Sequence, residues 1–179
     1  PWGDFDVNIG IDERYVVAAT GYLEDSLKHS KGGRKYWHFY APMVHDFVWA
    51  ADPDYVRTER LLKDGRTLQF YHIPNLKYDS AWLSLPEIME KALEYVEGQY
   101  GAYAYKTYSF IQGGDGGMEY PMATLITGNR PLVSLVGVCL HEWMHSWFEM
   151  MLATNESLYP WMDEGFTSYA EADVMNYIK

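Results

Sequence analysis

Apolar and polar positions along the chain first suggest sheet, then helix. Short runs rich in aromatic and β-branched residues, "RYVVAAT", "KYWHFYAP" and "HDFVWAA", fill much of residues 1–53. Turn-forming "KGGRK" and "DPD" break them up, which predicts antiparallel strands. "VRTERLLKDGRTLQFYHI" places a "KDGR" turn between two strand-like runs and predicts a hairpin. The period then lengthens. Leu85, Ile88, Met89, Ala92, Leu93 and Val96 recur at helical spacing before Gly98. Ser84 and Glu87 give a capping-box pattern, and Pro86 fits a first turn, so this helix is expected to begin at "SLPE". "YKTYSFIQ" and "MEYPMATLIT" read as two further strands around a "GGDGG" loop. A long helix is predicted from about residue 132 to 152, and another from Pro160 onward.

Composition fits a globular chain with a substantial core. Of 179 residues 48% are hydrophobic and 17% aromatic, the opposite of the disorder signature. A net charge of −11 repels phosphate backbones and anionic lipid, so nucleic acid is not an expected partner. Cys139 is the only cysteine and lies in the apolar run "PLVSLVGVCL", which makes it a core residue and leaves no intrachain disulfide or thiolate cluster. That run is too short to span a bilayer. "PWGDFDVNIG" has no signal-peptide pattern and reads as the middle of a strand region, consistent with a trimmed chain and an undetermined compartment.

The chemistry concentrates in "HEWMHSWFEMMLATNESLYPWMDEGFTSYAE". His141 and His145 are four residues apart, so on a helix their imidazoles face one point. Glu142 projects to one side, where its carboxylate can act as a base without being a ligand. Eighteen residues separate His145 from Glu164, enough to turn and return on a second helix with Glu164 as third ligand. Two histidines and one carboxylate are the donor set of a catalytic zinc. The apolar residues around Glu164 predict that this acid is buried beside its ion. Glu171, seven residues on along the same helix face, reads first as a solvent-facing acid, with a role holding the outer nitrogen of a ligand histidine as the secondary reading. His29, His38, His45 and His72 have no chelate spacing and read as non-ligands, and Tyr159 and Tyr169 read as packing residues.

These motifs resemble the gluzincin aminopeptidases, the family of aminopeptidase N and leukotriene hydrolase. His141, Glu142, His145 and Glu164 match the family's HExxH-x18-E pattern, and "WMDEGFTSYAE" is similar to its third-ligand segment. Gly116, Gly117, Met118 and Glu119 match its Gly-x-Met-Glu-Asn stretch, with Tyr120 in place of the Asn. The resemblance implies an α+β fold: residues 54–179 as the first half of a thermolysin-like zinc peptidase domain, residues 1–53 as the end of an N-terminal β-sheet domain. It also implies one Zn2+ per chain and peptide substrates with a free N-terminus, whose amine is held by Glu119, the start of a strand that pairs with the peptide backbone, with Gly116, Gly117 and Met118 also substrate-binding. Glu142 is then the general base for release of one N-terminal residue. The family's oxyanion-stabilising tyrosine is expected beyond Lys179, in a C-terminal part of the protein that also covers the cleft. Two other readings remain open: a thermolysin-like endopeptidase, which needs no amine anchor, and a non-catalytic module that keeps the fold.

Overall fold

A computed structural model of the chain describes residues 2–24, 30–114 and 116–179. The N-terminal region builds two small sheets. In one, the long strands β1 (Gly3–Asp12) and β5 (Arg34–Val44) pair antiparallel, with β3 (Tyr22–Leu23) and β4 (Ser30–Lys31) also on β5. In the other, β2 (Val16–Ala19) pairs antiparallel with β6 (Trp49–Asp52). Alternation along β5 places Trp37, Phe39 and Ala41 inward, as the period of two requires.

The remaining strands form a five-stranded sheet, in the order β10-β11-β9-β8-β7, from β7 (Val56–Leu61), β8 (Thr67–His72), β9 (Thr107–Gly113), β10 (Gly117–Tyr120) and β11 (Ala123–Thr127). The "KDGR" hairpin forms as expected, β7 against β8. β9 runs parallel to both neighbours and is buried on both faces. Phe70, Tyr108 and Phe110 face the helices; Phe70 stacks on Phe110, and Tyr108 and Phe110 pack against Trp143. Tyr71 and Ile111 face the other way, onto Ala18 and Tyr55 of the N-terminal region.

Three helices follow: α1 (Asp79–Tyr100), α2 (Leu132–His145) and α3 (Phe166–Ile178). α2 continues into a π-helical turn, Ser146–Met151, and α3 is preceded by another, Trp161–Gly165. Two expectations are corrected. α1 begins at Asp79, so Ser84 is no cap; its hydroxyl donates to the Ser80 carbonyl inside the helix, and Pro86 is interior. Burial of Ala81 and Trp82 extends the apolar face upstream, and the Trp82 indole donates to the Gly128 carbonyl at 3.0 Å. Burying a Trp is worth about 3–5 kcal/mol, comparable to the roughly 3 kcal/mol cost of an interior proline, so the Trp82 contact can offset Pro86. "MEYPMATLIT" is two strands, because Pro121 and Met122 make a tight turn with Met122 at φ +61°, and β10 folds back antiparallel on β11.

No helix among the described residues is long and apolar enough to cross a membrane.

Candidate metal centre

α2 carries His141 and His145 one turn apart, and the π turn before α3 brings Glu164 back to them. The Nε2 atoms of the two histidines are 3.3 Å apart. Glu164 Oε2 lies 3.2 Å from His141 Nε2 and 3.8 Å from His145 Nε2. Each outer nitrogen has its own carboxylate. His141 Nδ1 is 3.1 Å from Glu171 Oε2, and His145 Nδ1 is hydrogen-bonded to Asp163 Oδ1, with Thr167 Oγ1 at 3.4 Å.

These contacts set the tautomers. With both Nδ1–H groups donating to carboxylates, both Nε2 lone pairs point at each other and at a third acceptor, Glu164. Three such atoms that close together are stabilised by a positive charge between them, either the proton of the raised His141 or a metal ion. A tetrahedral zinc with bonds of about 2.0–2.1 Å separates its donors by roughly 3.3 Å, so the set fits the ion. Glu171, with Glu142 and Glu164 behind it, pushes the His141 imidazole up to about 9, whereas burial pushes His145 down. A cation at Nε2 displaces the His141 proton. Glu119, His145 and Asp163 form a second cluster of three donors. That cluster uses Nδ1 of His145, the atom whose proton is already given to Asp163, so the Nε2 set is the better cation site.

Glu142 and Glu119 lie beside these donors. Glu142 is 6% exposed, its Oε2 has no hydrogen-bond partner, and burial followed by the charge of Glu119 pushes its carboxyl up to about 8. Burial also raises Glu119, whose Oε1 is 4.0 Å from His145 Nδ1. Gly117 lies against Glu142: a Cβ there would sit 2.1 Å from Oε1 and 2.9 Å from Val138 Cγ2. Gly117→Ala is therefore expected to displace the Glu142 carboxylate and to cost about 1–3 kcal/mol, read from urea unfolding. The Gly116 carbonyl accepts from Thr127 N at 3.1 Å and from Arg130 at 3.3 Å, which ties the loop to β11. Met118 is exposed.

The expected burial belongs to the neighbouring acid. Glu164 is 58% exposed, while Asp163 is buried and pushed up to about 6, by burial first and then by Glu164 and Glu149. Asp163 was not singled out from the sequence, although an acid pair inside the apolar "PWMDEGF" announces that one of them is buried. Tyr159 and Tyr169 are exposed rather than packed. His38 faces Asp6, His45 faces Glu149, and His72 stacks on Trp82; none joins the donor set, and His29 lies outside the described residues.

No family model matches the chain. Its sequence is 33% identical over 93 residues to aminopeptidase B of Homo sapiens, covering 47% of this chain and 14% of that protein. It is 25% identical over 171 residues to leucine aminopeptidase 2 of Chaetomium globosum, covering 90% of this chain and 27% of the relative. The fold matches the crystal structure of an M1 zinc metallopeptidase from Deinococcus radiodurans with a TM-score of 0.74 and 20% identity, covering 95% of this chain and 40% of that one. The chain is thus similar in sequence to aminopeptidases and shares the fold of an M1 zinc metallopeptidase. It spans about a seventh to a quarter of the length of these curated relatives. The α+β fold expected from the motifs is that of the M1 structure, and the chain's relatives are hydrolases of the aminopeptidase type.

Proposed function

We propose that this chain carries the metal site and amine-recognition site of a zinc aminopeptidase. The observation that carries this reading is the convergence of His141 Nε2, His145 Nε2 and Glu164 Oε2 within 4.8 Å of one another, with two further carboxylates beside them. His141, His145 and Glu164 would hold Zn2+, each imidazole oriented by its own acid, Glu171 or Asp163. When bound, zinc supplies Lewis-acid polarisation of the scissile carbonyl.

The protein's own groups do the rest. Glu142 takes the proton of the attacking water and returns it to the leaving amine. Glu119 pairs with the substrate's N-terminal ammonium, so only the first peptide bond reaches Glu142. Gly116 leads into the edge strand β10, which Gly117 and Met118 begin and alongside which the peptide backbone lies. Residues 54–179 are read as the first half of the catalytic domain and residues 1–53 as the end of an N-terminal β-domain, a division supported by the change of sheet between β6 and β7.

The test compares an N-terminally free peptide with its N-acetylated form, in the wild type and in Glu119→Ala. Cleavage of the free peptide only, reduced on the order of 10–100-fold by Glu119→Ala, is expected from the loss of a charged hydrogen bond. Equal cleavage of both peptides, untouched by Glu119→Ala, would establish an endopeptidase instead.

A further inference from the structure

One buried carboxylate near the donor cluster has no part in the chemistry above. Glu149 lies in the π turn, four residues past His145, and its side chain is only 10% exposed. Among the described residues its only ion-pair partner is His45, from the segment joining β5 to β6 in the N-terminal region. His45 Nε2 lies 3.4 Å from Glu149 Oε2, longer than a usual hydrogen bond, so charge rather than hydrogen-bond geometry makes this contact. Trp2 packs edge-on against the imidazole at 4.9 Å, and the His45 side chain is 26% exposed.

The surroundings make this charge matter. On its other side Glu149 meets the charges of Glu156 and Asp163, which share a hydrogen bond, and that of His145. A buried carboxylate facing two more acids is costly unless a cation answers it. His45 is faced by three acidic side chains, Glu149, Asp46 on its own segment and Glu156.

We propose that His45 and Glu149 form a proton-dependent latch that fastens the N-terminal sheets to the end of the metal-site helix. With His45 protonated the pair holds; with His45 neutral, Glu149 faces Glu156 and Asp163 unanswered and the π turn loosens. The contact with Glu149 raises His45 above the ordinary imidazole value, against the opposing effect of burial. The sign follows. A histidine raised on folding binds more protons in the native state, so its stabilisation is full below the unfolded value of about 6.5 and is lost as pH rises through the folded value.

The test is an NMR titration of the His45 ring in the full chain, alongside hydrogen exchange of the 146–151 amides at pH 6 and pH 9, corrected for intrinsic rates. In the wild type the ring is expected to titrate above about 6.5, and protection of the π turn to fall at the higher pH. Glu149→Gln should bring the midpoint back toward 6.5, and His45→Gln should abolish the pH dependence of protection. A wild-type midpoint at or below about 6.5 would overturn the latch, as would protection that responds to pH equally in His45→Gln. If neither variant folds, the wild-type midpoint decides alone.

Discussion

Glu142→Gln is expected to lower peptide hydrolysis on the order of 10²–10⁴-fold while zinc stays at about one ion per chain. Glutamine keeps the shape of the side chain and removes only its ability to carry a proton. The same substitution should stabilise the chelator-treated protein at alkaline pH. Burial, with Glu119 nearby, lifts the Glu142 carboxyl from 4.5 to about 8, so the native state holds a proton that the unfolded chain releases. Stability contributed at this position therefore falls as pH rises between those values. Glutamine never ionises, so its melting temperature should exceed the wild type's at pH 8 and converge with it near pH 5. A rate loss with no pH-dependent gain would mean that Glu142 is not buried as an acid; full retained activity would remove it from the chemistry.

His145→Ala is expected to bring bound zinc from about one ion per chain to near none, measured by elemental analysis after dialysis against zinc. His145 is 1% exposed and both its nitrogens are engaged, Nδ1 with Asp163 and Nε2 toward His141 and Glu164. Alanine removes one of three donors and also takes the partner from a buried acid. Leaving a buried acid without its hydrogen-bond donor costs about 1–3 kcal/mol, so the variant should unfold at lower denaturant as well. Asp163 is raised to about 6, so it is neutral below that pH and the penalty should shrink there. A variant that folds and still binds one zinc would show that the ion sits elsewhere.

The sequence showed the donor set because an α-helix repeats every 3.6 residues, which brings His141 and His145 to one face whatever surrounds them. Glu171 was visible for the same reason, seven residues from Glu164. Which acid of the Asp163–Glu164 pair turns inward was not visible, since it depends on the π turn at Trp161–Gly165, a local widening with no reliable sequence mark. The β10–β11 turn was missed because it needs a methionine at positive φ, a conformation disfavoured locally and imposed here by the sheet. The start of α1 was misplaced because Pro86 resembles a first-turn residue, and the burial of Trp82 that overrides it is a tertiary effect. His45 and Glu149 are 104 positions apart, and nothing in their spacing joins them.

The division of the three donors between interior and surface bears on how such a site changes over generations. His145 is embedded in the core, so a descendant that replaces it must repair its packing at the same time. Glu164 is largely bathed in water, and a lineage can exchange it at little cost to folding. At the proposed metal site, loss of the ion, or a shift in which ion is held, would therefore be open in a single substitution that leaves a foldable chain, and a histidine pair retained beside an altered position 164 would record that history.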